Sequence, residues 1–228
     1  MHINTTISSD DIYSALESEI INLKIKPGAC ISEGELCARF EVSRTPIRSV
    51  LQRLELNGFV TIAPYKCTKV TYMDFDVINQ TIYQRVAVES MVFRDFMKVC
   101  TPMHIEKMRY FIRSSRVLIQ QEEYDINEVF SLNNKLHMIW FREMKKEYLW
   151  NCIQSAQSNY SRFRVLDIMM VERDYSEIIK EHEELLDILI RNDYESVEPW
   201  FIRHMHGGII RLGEQVYTEL RDYFVFKD

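Results

Sequence analysis

Apolar residues at Val42, Ile47, Val50, Leu51 and Leu54 recur at steps of three and four, the spacing that lines one buried helix face. The pattern predicts two short helices joined by a tight turn across residues 32–60. Ser32 with Glu35 three residues on is a capping-box pattern, so the first helix should open at about Glu33. The second opens near Thr45-Pro46, a hydroxyl followed by a proline that costs nothing in a first turn; Ser43 is an equally good cap. Asn57-Gly58 should stop it, because both residues tolerate the left-handed conformation. Phe59 to Ile62, then Pro64 to Cys67, then Lys69 to Tyr72 reads as two short strands around a turn, a β-wing carrying Lys66 and Lys69.

Beyond Tyr72 the texture changes to long helical stretches with almost no glycine. One runs from Asp74 to about Cys100, with Ile78, Ile82, Val86, Ala87 and Met91 on a stripe. Thr101-Pro102 starts a second, and Asp125 with Glu128 opens a third through His137 to Met144. A fourth spans about Tyr148–Met170, a fifth Ser176–Ile190 and a sixth Asp193 to about Tyr217. The expected fold is mainly α: an N-terminal winged helix-turn-helix (1–73), then an antiparallel α-helical bundle of about six helices (74–228). A chain of 228 residues is long enough for both.

Charge changes the picture. The chain carries a formal charge of −6, which ordinarily argues against a nucleic-acid partner. Between Arg39 and Val70, however, six basic residues stand against two acidic ones, Glu41 and Glu55. Arg44 and Arg48 lie four apart at the start of the second helix, where a recognition helix meets base edges, with Thr45 between them and Arg53 farther along. Lys66 and Lys69 are placed to touch phosphates. These residues form the expected DNA-binding set.

Other classes recede. No apolar run is long enough to span a membrane and the N-terminus lacks a signal-peptide pattern, so no membrane partner is expected. The five cysteines are scattered, odd in number and without a CxxC pair; structural disulfides are not expected, Cys30 and Cys37 read as small apolar fillers, and a cytoplasmic location follows. Trp140, Trp150, Trp200 and most tyrosines read as core or contact residues, and Met169 and Met170 as gap fillers.

The stretch LKIKPGACISEGELCARFEVSRTPIRSVLQRLELNGFV resembles the winged helix-turn-helix of the GntR superfamily of bacterial regulators. Leu23, Pro27, Gly28, Ser32, Glu33, Leu36, Val42, Ser43, Arg44, Thr45, Pro46, Arg48, Leu51, Leu54 and Gly58 fit its pattern. Three positions depart: Glu41 replaces a usual turn glycine, Ser49 a usual glutamate, and Cys67 a common wing glycine. The resemblance implies a cytoplasmic homodimer on a short palindromic DNA operator, with repression the expected sense of control.

Three histidines sit among apolar residues in the bundle: His137 in NNKLHMIWF, His182 in IIKEHEELLDIL and His204 in PWFIRHMHGGII. Asn133, one turn before His137, shares its face. Converging neutral imidazoles suit a borderline metal ion, but spacing alone equally fits unconnected core or surface histidines. The bundle resembles the FCD branch of the superfamily, whose metal-binding members show an aspartate four before a first histidine, a glutamate-histidine pair and a last-helix histidine. His137, Glu181-His182 and His204 match in order; Asn133 stands at the aspartate position as a weaker ligand without charge. The resemblance implies a divalent metal cofactor, zinc by default with nickel or manganese as alternatives. It also implies a small organic or sugar acid effector, with Arg85, in the R-x-x-x-E pattern with Glu89, pairing its carboxylate. Arg162 and Arg164 are weaker cavity candidates, equally readable as surface residues. His206 points to another face of its helix. Catalysis is not expected, because no HExxH-type general base is present and Glu183-Glu184 reads as a solvated face. A metal-dependent hydrolase and a constitutive DNA-binding dimer without effector are the competing classes.

Overall fold

The structure is a computed structural model and describes residues 7–63, 67–155, 158–170 and 175–226. They form two compact units. One draws on the chain up to Asn79, on Ser155–Asp167 and on the chain from Leu212; the other on Gln80–Gln154 and Ile168–Arg211.

The first unit opens with α1 (Ser9–Ile21). Ser8 Oγ accepts from the Asp11 N–H and Asp11 Oδ2 from the Ser8 N–H, each at 3.1 Å, a reciprocal cap. This helix is absent from the sequence expectation, although Ile12, Leu16 and Ile20 recur four apart and are fully buried. β1 (Cys30–Ile31) precedes α2 (Glu33–Phe40), which opens where expected, with the Ser32 hydroxyl accepting from the Glu35 N–H. Glu41 then turns the chain in left-handed conformation at φ 54°, the position where a side chain costs most relative to glycine.

α3 runs Arg44–Leu56 with Ser43, not Thr45, at the N-cap and no side-chain capping bond. Its expected face is real: Ile47, Val50, Leu51 and Leu54 are buried against Ile12, Leu16, Phe59 and Val70, with Val42 packed at the edge. Gly58 follows at φ 76°, where a β-carbon would be strained. β2 (Val60–Thr61) and β3 (Thr68–Val70) pair antiparallel with Val60 opposite Val70, and β1 joins the other edge of β3, giving the order β1-β3-β2. This sheet is the wing; its expected contact residue Lys66 lies outside the described residues.

Two further pieces complete this unit, and neither has a local signal. β4 (Met73–Asp74) pairs in parallel with β5 (Phe224–Val225), from the far end of the chain. In α8 (Ser158–Met170), Arg162 is fully buried and donates to the Thr71 carbonyl at 2.5 Å, Thr71 Oγ1 at 3.1 Å and Asn159 Oδ1 at 3.2 Å.

The second unit is a helical bundle. It holds α4 (Phe75–Met97) from Gln80 onward, α5 (Pro102–Ile119), α6 (Ile126–Glu143), α7 (Glu147–Ser155), α9 (Ser176–Arg191) and α10 (Val197–Leu212). α5 packs on α6 and α9. Asp125 caps α6 through the Asn127 N–H at 2.8 Å, not through a Glu128 box. The expected fourth helix falls on α7 and α8, with residues 156–157 between them lying outside the described residues. The expected sixth begins later and ends earlier: Asp193 accepts from the Ser196 N–H and hydroxyl, and Gly213 at φ 47° turns the chain into a 3-10 turn, Gly213–Tyr217. The α4 stripe is also corrected. Ile78 and Ile82 are buried, but Met91 is 67% exposed and Ala87 is exposed; Arg85, Glu89, Phe93 and Phe96 face inward instead. An apolar count cannot find a buried face that carries an ion pair.

The cysteines give the plainest correction. Cys30 and Cys67 are joined in a disulfide, with 5.6 Å between their Cα atoms. Scattered sequence spacing hid a pairing that the β1–β3 ladder brings about, since Cys30 stands opposite Lys69 in the register and Cys67 lies just before β3.

Candidate metal centre and DNA-binding face

His137 from α6, His182 from α9 and His204 from α10 converge, their ligating nitrogens all within 4.8 Å of one another. His137 and His182 are buried and His204 nearly so. His137 Nε2 and His182 Nε2 are 3.4 Å apart. Two nitrogens each about 2 Å from one cation in tetrahedral array stand about that far from each other. The outward nitrogens of two rings are held by carboxylates: His137 Nδ1 by Glu89 Oε2 and His204 Nδ1 by Glu181 Oε2, both at 2.6 Å. Such partners fix the tautomer and orient the ligating nitrogen. Aromatic rings close the site. Trp200 stacks on His204 with 4.5 Å between centroids, Trp140 lies 4.7 Å from His137, and the Trp200 Nε1 donates to the Glu181 carbonyl.

Electrostatics favour the ligating forms. Burial is the largest influence on His137 and pulls its pKa down to about 4 against the pull of Glu89, so the ring is neutral at neutral pH. Burial alone would raise Glu89, but the Arg85 guanidinium, donating from Nε at 2.6 Å, outweighs it together with His137 and holds the carboxyl at about 2. Arg85 and Glu89 are thus a buried ion pair whose carboxylate also holds the neutral His137 ring. The donor set fits a divalent ion by a further sign: Asn133, one turn before His137, has a buried Oδ1 without a hydrogen bond among the described residues. An oxygen so placed is satisfied by a cation or a water.

The remaining expected residues separate. Arg162 belongs to the other unit and is spent on Thr71, so it does not line this site. His206 Nδ1 bonds the Ile202 carbonyl at 2.9 Å and turns away. Glu183 and Glu184 make exposed ion pairs with Arg116 and Arg203, a solvated face. Sequence patterns bring Glu89 and Glu181 forward only as neighbours of Arg85 and His182. Their work, holding two rings from other helices, appears only in three dimensions.

On the winged unit, Arg44 and Thr45 are exposed at the start of α3, and Arg44 makes no ion pair among the described residues. Arg48 is exposed and pairs with Glu33 at 3.1 Å. Arg53 reaches back to α1, pairing with Asp10 at 2.6 Å and lying 4.4 Å over the Tyr13 ring. Lys69 is exposed on β3.

This pairing of a winged helix-turn-helix with a histidine-bearing helical bundle defines a class of bacterial regulators. Residues 8–70 match the family "Bacterial regulatory proteins, gntR family", and residues 81–207 match "FCD domain". The chain belongs to the GntR family of transcriptional regulators with an FCD C-terminal domain; it is a DNA-binding regulator, not an enzyme. It is 24% identical over 216 residues to the HTH-type transcriptional repressor RspR of Escherichia coli K12, covering 95% of this chain and 93% of that one. Its fold matches E. coli McbR/YncC, at TM-score 0.71 and 17% identity over 91% of this chain and 97% of that chain. It also matches a GntR regulator from Rhodococcus sp. RHA1, at TM-score 0.69 and 17% identity over 90% and 97%. No helix among the described residues is long and apolar enough to cross a membrane.

Proposed function

We propose that this chain is a repressor whose operator affinity is set by a small organic or sugar acid bound at a divalent metal ion. Residues 1–73 act as the DNA-binding domain and 74–228 as the effector and dimerisation domain. Arg44, Thr45 and Arg48 read bases in the major groove of a palindromic operator, while Arg53, Lys66 and Lys69 meet phosphates. His137, His182 and His204 hold the ion, zinc before nickel or manganese, with Asn133 as a weaker fourth ligand. The ion supplies a Lewis-acidic position for the effector's carboxylate, and the Arg85 guanidinium adds charge one side chain from His137. The exposed Tyr83 and Met91 on α4 support a homodimer, since apolar side chains so open to water gain from being covered. Effector control requires only that the acid bind two arrangements of the dimer unequally.

The convergence of three imidazoles inside a bundle that accompanies a DNA-reading element carries this reading. Elemental analysis of untagged protein purified without chelator should find close to one divalent ion per chain, and His182→Ala should lose it. Arg44→Ala should weaken binding to a duplex selected from a random pool by about tenfold or more, as loss of a base contact worth roughly 1–3 kcal/mol does, with metal content unchanged. Metal at background in the untreated protein would overturn the metal-centred reading. It would favour a constitutive DNA-binding dimer, which the uncharged Asn133 also suits.

A further inference from the structure

We propose that Cys30 and Cys67 are a reversible thiol–disulfide switch that tethers or releases the wing, exchanging with small disulfides such as oxidised glutathione. Three observations support it. The two Cα atoms stand 5.6 Å apart, at the favoured separation for a disulfide, so the bond needs no backbone movement to form. The approach does not depend on the bond: the Gly28 N–H donates to the Val70 carbonyl at 2.8 Å and the Val70 N–H to the Ala29 carbonyl at 2.9 Å, holding β1 against β3 whatever the sulfurs do. Cys30 is exposed, so an external disulfide can reach it.

Placement turns this chemistry into control. The pair is 37 residues apart in sequence, and the loop it closes holds all of α2, the turn and α3. Cys67 lines a cleft of about 520 Å³ together with Glu33, Arg48, Leu51 and Gln52, so the tether ends beside the side of α3 that carries Arg48. The oxidised form holds the start of β3 to β1; the reduced form leaves the wing held by the ladder alone. Cys37, Cys100 and Cys152 take part in no disulfide among the described residues and serve as internal controls.

In the oxidising direction the Cys30 thiolate attacks one sulfur of glutathione disulfide, forming a mixed disulfide and expelling one glutathione thiolate. The Cys67 thiolate then attacks the Cys30 sulfur and expels the second. Two electrons pass from the cysteine pair to glutathione disulfide, and the two cysteine protons end on the two released glutathione thiols. Excess glutathione runs the same steps backward.

The thiol chemistry stands by itself; its effect on DNA rests on the operator-binding reading above. Full-length protein is equilibrated in oxidising or reducing glutathione buffer, quenched in acid, alkylated and weighed. Three alkylated thiols are expected from the oxidised sample, with a Cys30–Cys67 link on peptide mapping, and five from the reduced one. The oxidised protein should also melt higher, a difference absent from Cys30→Ser. A duplex selected by the reduced protein should bind the oxidised protein roughly three- to tenfold more tightly, because a pre-organised wing loses less freedom on binding. Cys30→Ser should bind equally in both buffers and match the reduced wild type, while Cys37→Ser keeps the difference. Five alkylated thiols after oxidation, a link through another cysteine, or affinities equal within twofold would overturn the switch. If the reduced protein selects no duplex, the operator reading fails alone, and the thiol count and melting difference still decide the chemistry.

Discussion

The face of α3 and the histidine centre use charge in opposite ways. On α3, Arg48 and Arg53 are exposed and paired with the exposed carboxylates of Glu33 and Asp10. Exposed pairs of this kind are worth between nothing and about 1 kcal/mol, so a base edge or a phosphate can replace the carboxylate at little cost. In the bundle, Arg85, Glu89 and His137 are almost wholly withdrawn from water and bonded in series at 2.6 Å. Charges there cannot exchange partners with solvent. This contrast suits the roles proposed above: a surface that binds and releases DNA gains from weakly held charges, and a centre that presents three nitrogens in fixed geometry gains from locked ones.

Removing one link of the buried chain should therefore have the largest effect. Glu89→Ala leaves Arg85 buried without its partner and His137 without its anchor, and should cost about 3–5 kcal/mol in denaturant unfolding. A loss no larger than that of Glu33→Ala on the surface would break the contrast. Acid probes the same chain next. The folded protein refuses the His137 proton until about pH 4, while the unfolded chain accepts it below about 6.5. The metal-free protein should keep this stability above pH 6.5 and lose it as pH falls towards 4. The loss is on the order of 3 kcal/mol at about 1.4 kcal/mol per unit, and His137→Gln should flatten that part of the profile.

Arg162 tests whether the winged unit also holds a locked charge. It is buried on neutral acceptors, and burial pulls its pKa down to about 10. Arg162→Ala would strand the Thr71 carbonyl, while Asn159 Oδ1 keeps the Asp74 N–H, so a destabilisation of roughly 1–3 kcal/mol is expected by thermal melting. No change would mean that water replaces the guanidinium. The smallest effect lies at the turn between α2 and α3. Glu41→Gly relieves a left-handed side chain and should stabilise by about 1 kcal/mol, visible as a small rise in melting temperature with metal content unaltered.

The periodic, local features of this protein are written in its sequence. α2, α3 and the wing follow from apolar spacing, one hydroxyl cap and an Asn-Gly stop, because each depends on residues within a few positions of one another. The three histidines could be picked out for the same reason, each lying at a helical position among apolar neighbours, but the family pattern rather than spacing joined them. Tertiary structure alone decided that they meet, and that Glu89 and Glu181 hold His137 and His204. It alone placed Arg162 on Thr71, paired β4 with β5 and brought Cys30 to Cys67. Those contacts join residues from 23 to 151 positions apart. Periodicity reports only which side of an element is buried; the partner a buried charge or thiol finds there is fixed by how distant elements pack.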